Sequence, residues 1–448
     1  MQLSRFVVTY EEVREGEHVL YNVLADRYVG IDDLTLQAVG RWNAGSQPAP
    51  GDETDAARVL ADDGFLVADS AVDDERLRAH LAAAADGMPG TLYVTLMPTL
   101  ACNLACTYCF QKESPAFNRM TGDTEAATVE WILERAAEAG CRKLVVHYFG
   151  GEPLTRKDYV LRTAEQLSAG MRARGGEFTW EITTNGVTLD VPFVQAMNLQ
   201  GSGSIKVTLD GDKETHDKHR IWRSGKGSFD QIFANLVACA PHVKMRLGGN
   251  FAKGELASYE RLLKKLDESG LTSLLDGVRF KPVEDTSRQE NGTCTGCAHS
   301  QSEEAAQTLV QLNAGIQKRK LGAANHETLE GMLGPCELHW NNSYIIDPDG
   351  LLYKCPAVAG RPEMAVGSVA GHAPEKVAPL LALRPWEKCG DCPYMPVCVG
   401  GCLGGQWLRT GRVDEVNCKR DQFEDAFRTT IPQRYLAELG EQQWSPAS

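Results

Sequence analysis

The chain has 448 residues, 43% of them hydrophobic and 24% charged, a globular mix that excludes a disordered chain; no run approaches the roughly 20 apolar residues of a membrane span. Lys and Arg total 46 against 60 Asp and Glu, a net charge of −14, which disfavours bulk binding to nucleic acid or to an anionic membrane. At about 150 residues per domain the length suggests about three domains.

The N-terminus, MQLSRFVVTYEEVREGEHVL, places acidic residues where a secretory signal needs an apolar run, so a cytoplasmic location is expected. Alternating patterns predict short strands over 5–10, 18–24 and 27–31, and apolar residues at helical spacing predict helices over 34–42, 54–63 and 75–85. The turn-rich DGMPG at 86–90 ends this first unit, 1–90. From residue 91 strands and amphipathic helices alternate. Strands are expected at 92–96, 144–149, 178–183, 205–209, 245–251 and 278–282, with helices at 125–139, 159–174, 191–198, 229–238 and 256–269. About six such units predict an α/β fold, a partial (β/α)6 TIM-like barrel over 91–290, with its chemistry on the loops after the strand ends. A third, cysteine-rich unit, 291–448, begins with polar sequence and a helix over 303–320. It ends in a short helix after residue 421 and a polar tail.

Fourteen cysteines in a reducing compartment point to thiolate ligation of metal rather than to disulfides. Cys102, Cys106 and Cys109 form CxxxCxxC on the loop after the first barrel strand. Three thiolates can hold three corners of a [4Fe-4S] cluster and leave the fourth iron open, whereas structural zinc takes four protein ligands, commonly from CxxC pairs. The spacing resembles the radical S-adenosylmethionine (SAM) enzymes. That resemblance implies a cluster whose open iron chelates SAM, and cleavage of SAM to a 5′-deoxyadenosyl radical that abstracts hydrogen from carbon. Tyr108 stands where the family places an aromatic residue beside the adenine.

Further motifs follow successive strands. Phe149-Gly150-Gly151-Glu152-Pro153 matches the family's GGEP motif, which binds the SAM amino group; its glycines permit close backbone approach and Glu152 can face an ammonium. Thr183-Thr184-Asn185-Gly186 supplies hydroxyl and amide groups suited to a carboxylate or ribose. Thr208-Leu209-Asp210-Gly211 leads into a segment ending at Arg220 that is similar to the one holding SAM in peptide-modifying members, where Arg220 can form a bidentate pair with a carboxylate. His216, Asp217 and His219 read equally well as a charged loop with local hydrogen bonds.

Cys336, Cys355, Cys389, Cys392, Cys398, Cys402 and Cys418 resemble the SPASM domain, which binds two auxiliary [4Fe-4S] clusters. The resemblance assigns Cys389, Cys392, Cys398 and Cys418 to an outer cluster and Cys336, Cys355 and Cys402 to an inner one. Cys294 and Cys297 form a CxxC upstream, with Cys297 a candidate fourth inner ligand. Cys141 and Cys239 read as buried thiols. The first unit looks like the winged-helix-like peptide-recognition elements of many peptide maturases, which pair a leader peptide against a sheet edge; a cap on the barrel is the other reading.

The resemblance implies a radical SAM oxidoreductase that modifies a ribosomally made precursor peptide or protein, forming a thioether or another side-chain crosslink, with reduced flavodoxin or ferredoxin as electron donor. Those donors are acidic and would need a local positive patch. Formylglycine generation in sulfatases is an alternative, although Pro356 follows Cys355 where that subfamily places an aspartate base. Quinone-cofactor maturation of a peptide shares every motif. A different class, a non-catalytic multicluster electron carrier, has no need of a SAM pocket.

Overall fold

The computed structural model describes residues 1–49, 51–85, 87–109, 111, 119–283, 303–321, 336–372 and 374–439; Cys294 and Cys297 lie outside them. The N-terminal elements are β1 (Gln2–Leu3), β2 (Val7–Arg14), β3 (Glu17–Asn22), β4 (Arg27–Asp32), α1 (Asp33–Asn43), α2 (Asp52–Asp62), β5 (Leu66–Val67) and α3 (Ser70–Ala85). Then come β6 (Thr91–Leu96), α4 (Gly122–Glu138), β7 (Lys143–Tyr148), α5 (Lys157–Ala173), β8 (Glu177–Thr184), α6 (Val191–Asn198), β9 (Ser202–Thr208) and α7 (Lys213–His219). These are followed by α8 (Phe229–Cys239), β10 (Lys244–Phe251), α9 (Leu256–Glu268), β11 (Leu275–Pro282) and α10 (Glu303–Lys318). The C-terminal part holds β12 (Ser343–Ile346), β13 (Leu351–Tyr353), β14 (Gly367–Ser368), β15 (Gly371–His372), α11 (Pro374–Leu381), α12 (Met395–Cys398), α13 (Leu403–Thr410) and α14 (Arg420–Glu438).

The chain is an α/β protein with a central parallel sheet. Strands β6 to β11 pair in parallel in sequence order, as the alternating strand and helix patterns predict. Alternation within each strand explains the layering. One face carries Leu92, Val94, Leu144, Val146, Trp180, Ile182, Ile205, Val207, Met245 and Leu247, all buried against the helices in one core. The opposite, inner face carries Tyr93, His147, Glu181, Lys206 and Arg246. The sheet does not stop at the cysteine-rich segment: β12 adds in parallel beside β6, and β13 to β15 continue it antiparallel. Leu312 and Ile316 of α10 and Tyr344 and Ile346 of β12 enter the same core, so residues beyond 291 help to complete the barrel unit.

β2, β3 and β4 form an antiparallel sheet in that order. Leu20 and Ile31 on one face pack against Val39 and Trp42 of α1 and Leu60 of α2. On the other face Val19 and Tyr21 pack against Phe427 and Ile431 of α14. The tail thus differs from the short helix expected after residue 421: α14 has 19 residues, because it has a complete apolar sheet face to cover. No helix among the described residues is long and apolar enough to cross a membrane.

Phe427 is fully buried, edge-on to Tyr21 at 5.6 Å and to Tyr394 at 5.5 Å between ring centroids. Phe427→Ala is expected to cost about 3–5 kcal/mol and to speed amide hydrogen exchange in β2–β4 while leaving β6–β11 protected. Unchanged exchange in β2–β4 would mean that α14 does not hold the sheet.

Candidate active site

The loop after β6 carries Cys102, Cys106 and Cys109, and its backbone is held from two sides. On one side the amides of Gly151 and Glu152 donate to the carbonyls of Thr99 and Ala101, at 3.0 and 2.9 Å. On the other, the amides of Ala105 and Thr107 donate to the carbonyls of Ile221 and His219, at 2.8 and 3.0 Å, and Arg223 Nε donates to the Cys102 carbonyl at 2.9 Å. The Gly-Gly pair is required by this approach. Gly150 has φ +121°, and a methyl at Gly150 or Gly151 would run into the carbonyls of Thr99, Leu100 and Ala101. The freed amides of this motif therefore bind the cysteine loop itself.

The three thiols are close enough for Cys106 and Cys109 to bear on the ionisation of Cys102. The Cys102 thiol is pushed up to about 12, first by burial, then by Glu152 and by Cys106 and Cys109. Burial also raises Cys106, with the Arg220 guanidinium opposing. Yet among the described residues no three cysteine sulfurs lie within 4.8 Å of one another, whereas sulfurs around one tetrahedral zinc ion at 2.3 Å stand about 3.8 Å apart. Three thiolates on one loop can hold three corners of a multi-iron cluster. Glu12, His18 and Asp33 are the one group of described residues whose ligand atoms are that close. There His18 Nδ1 accepts from the Glu12 amide and Nε2 bonds Asp33 at 2.9 Å, so both ring nitrogens are used.

Glu152 is buried, and its carboxylate ties the loop after β7 to the loop after β8. Oε1 accepts from Thr184 Oγ1 at 2.6 Å and from the Leu154 amide at 3.0 Å, and Oε2 accepts from the Asn185 amide at 2.7 Å. Burial raises its pKa, and these donors and Arg220 pull it back. Pro153, itself buried, starts the short helical turn that follows. Asn185 Nδ2 donates to Asn103 Oδ1 at 2.7 Å and lies 3.7 Å from Cys102 Sγ. Thr183 faces the inner side, where its hydroxyl meets His147 Nε2 at 2.9 Å. Burial lowers His147 to about 4, so its ring is neutral. Thr208 is half-buried at the end of β9.

A second polar cluster lies around Tyr108. Its hydroxyl donates to Asp210 Oδ2 and accepts from Arg220 at 2.9 Å and from Asn250 Nδ2 at 3.2 Å. Asp210 Oδ1 also accepts the Asn250 amide at 2.8 Å. Arg220 Nε is buried with no partner among the described residues, a donor left for a ligand. His216 is structural: Nδ1 accepts the Asp210 amide at 3.1 Å, Nε2 meets Ser228 at 3.0 Å, and burial holds the ring neutral. Asp217 accepts the amides of Ser228 and Phe229 at the start of α8. His219 bonds Glu255 at 2.6 Å and Thr107 Oγ1 at 3.3 Å. The sequence analysis does not single out Asn250 and Glu255; Asn250 is a polar residue on the inner face of β10, next to the apolar end residue Phe251.

The remaining cysteines fall into two groups. Cys336 and Cys355 are raised chiefly by burial, Cys336 to about 11, and each feels Cys402; Cys355 also feels Cys336. Cys389, Cys392 and Cys398 are raised by burial and all feel Cys418. Cys141 and Cys239 are buried in the main core.

Residues 96–244 match the family model described as Radical SAM superfamily, so this segment of the chain is a radical SAM domain. It is 29% identical over 141 residues to the cysteine-type anaerobic sulfatase-maturating enzyme of Clostridium novyi, covering 30% of this chain and 36% of that enzyme. It spans about half, or less, of the length of the first curated relatives it matches. Native anSMEcpe, solved with bound AdoMet and a Kp18Cys peptide, superposes with TM-score 0.63 at 16% identity over 78% of this chain and 99% of that one. Streptococcus suis SuiB bound to the precursor peptide SuiA superposes with TM-score 0.52 at 14% identity over 94% and 99%. At these identities the likeness is one of fold.

Glu255 raises the pKa of His219, so the fold favours the protonated ring. That stabilisation is complete below the ordinary imidazole pKa of about 6.5 and is lost as pH rises through the raised value. In the reconstituted holoprotein, thermal unfolding followed between pH 5.5 and 8.5 should show wild type losing more of its midpoint than His219→Gln; parallel profiles would discount the pair.

Proposed function

We propose that the chain is a radical SAM peptide maturase: it modifies a ribosomally synthesised peptide by hydrogen abstraction and joins side chains through a thioether or a related crosslink. The observation that carries this reading is a trio of half-buried thiols on one loop, with Cys106 and Cys109 near enough to raise the pKa of Cys102, beside an unpartnered guanidinium nitrogen. Cys102, Cys106 and Cys109 would hold the [4Fe-4S] cluster. Tyr108, Gly150, Gly151, Glu152, Pro153, Thr183, Thr184, Asn185, Thr208, Asp210 and Arg220 would form the SAM pocket. A cluster and SAM held there would supply a 5′-deoxyadenosyl radical able to take a hydrogen atom from carbon, and auxiliary clusters would offer a place for the leftover electron or for a substrate thiolate.

The chain's own residues position and shield. Glu152 keeps the loops after β7 and β8 in register with the cysteine loop and retains lone pairs for an ammonium. Arg220 offers Nε to a carboxylate, while its bond to Tyr108 fixes that ring over the cluster loop. We assign Cys336, Cys355 and Cys402 to an inner auxiliary cluster, with Cys297 as fourth ligand, and Cys389, Cys392, Cys398 and Cys418 to an outer one. The units 1–90, 91–290 and 291–448 would be a winged-helix-like recognition element, a partial (β/α)6 barrel and a SPASM domain. The peptides bound in the SuiB and anSMEcpe structures support a peptide substrate, and an open edge of the β2–β4 sheet offers backbone groups to its leader. Reduced flavodoxin or ferredoxin would act as donor in a cytoplasmic setting. The Clostridium novyi relative favours formylglycine generation as a second reading, against which Pro356 stands beside Cys355.

Anaerobic reconstitution should load about twelve irons per chain, four per cluster, and dithionite with SAM should release 5′-deoxyadenosine. Cys106→Ala should lose about four irons and all of that product, and equal product from both proteins would remove the catalytic reading. Peptide product lighter by two hydrogens and inert to a hydrazide marks a crosslink, whereas an aldehyde trapped by the hydrazide marks formylglycine.

A further inference from the structure

The inner face of the sheet is electrically lopsided. On β8, Glu181 accepts the Tyr93 hydroxyl at 2.9 Å. On the next three strands the inward positions are Lys206, Arg246, Arg279 and Lys281. Their register places Lys206 beside Arg246, Arg279 beside Gly248, and Lys281 beside Asn250. Lys206 and Lys281 are exposed on this face and have no ion-pair partner among the described residues, while Arg246 pairs with Asp276 at 3.3 Å.

Two contacts show that these cations converge and where. A methyl at Gly248 would lie 2.7 Å from Lys206 Cε, so the lysine chain crosses β10 over the missing side chain, toward Arg279. Asn250, the neighbour of Lys281, donates to the Tyr108 hydroxyl, so the basic face adjoins the cysteine loop. Although Lys206 keeps surface open to solvent, crowding by the protein around it inside the concave face, then Lys281, Arg279 and Arg246, lower its ammonium to about 8. In a chain with a net charge of −14, placing Lys206 and Lys281, which have no ion-pair partner among the described residues, beside Arg246 and Arg279 costs repulsion that a bound anion relieves.

We infer that the peptide segment presented to the active site is acidic, and that Lys206 and Lys281, flanked by Arg246 and Arg279, receive its side-chain carboxylates. This rests on the reading of the chain as a peptide-modifying enzyme. It names a substrate chemistry for that reading: Asp or Glu residues next to the position attacked.

The test is fluorescence anisotropy on the anaerobically reconstituted enzyme with SAM. The probes are an acetylated, fluorescein-labelled Gly-Glu repeat dodecapeptide and its Gly-Gln counterpart, both C-terminally amidated, with a Gly-Gln peptide ending in a free carboxylate as the third. The Glu peptide should bind about tenfold more tightly than the Gln amide at low salt, with the gap closing as salt screens the charges. Lys206→Gln with Lys281→Gln should abolish the preference, and Lys206→Arg with Lys281→Arg should restore it. Equal binding of the two amides, or a preference surviving the double Gln variant, overturns the proposal. Preference for the free-carboxylate Gln peptide equal to that for the Glu peptide also overturns it, in favour of a terminal carboxylate. Release of 5′-deoxyadenosine by wild type without peptide tests the underlying reading separately: its absence would remove that reading whatever the binding result.

Discussion

The loop bearing Cys102, Cys106 and Cys109 must hold three half-buried sulfurs near one another, and the rest of the barrel end is arranged around that demand. Side-chain contacts alone would let the loop relax and the thiols separate. Backbone hydrogen bonds from the Gly151–Glu152 segment on one side and to His219 and Ile221 on the other remove that freedom. A site whose geometry is set by main-chain bonds needs little reorganisation when its metal arrives, which is the form of preorganisation that catalysis uses.

The same economy governs the polar groups. Glu152 joins two strand ends through Thr184 and Asn185, and Asp210 joins two more through Tyr108 and Asn250. Each buried carboxylate therefore has its donors, as burial in low dielectric requires. Successive loops become a single unit, so a shift in one strand end moves the ligand-facing groups of its neighbours. Within these two clusters Arg220 Nε is left without a partner; it stands beside the thiols, where an incoming carboxylate would complete the network.

Much of this was legible in sequence because it is local. Strands β6 to β11 and helices α4, α5, α6, α8 and α9 lie within about three residues of their predicted bounds, since alternation and helical spacing are imposed by one buried face. The cysteines were legible because their spacing is short-range. The helix α7, KETHDKH, carries no apolar period and read as a loop; it is held by its Asp212 cap and by His216. β12 to β15 are two to four residues long, too short for alternation to register. Partner identity was the larger blind spot. Nothing in the GGEP motif says that its amides bond the cysteine loop, and nothing near Asn250 or Glu255 says that they reach Tyr108 and His219, because such pairings are set by tertiary packing.

The docking of α14 on the N-terminal sheet ties the two ends of the chain together: Arg434 reaches Asp26 across 408 positions of sequence. During synthesis β2 to β4 leave the ribosome with Tyr21 and Val19 uncovered, and they stay so until α14, 408 positions further along at Arg434, has emerged. The sheet therefore matures only after the barrel strands that lie between it and α14 in sequence have been made, and a chaperone that shelters it in the interval would act on yield rather than on turnover.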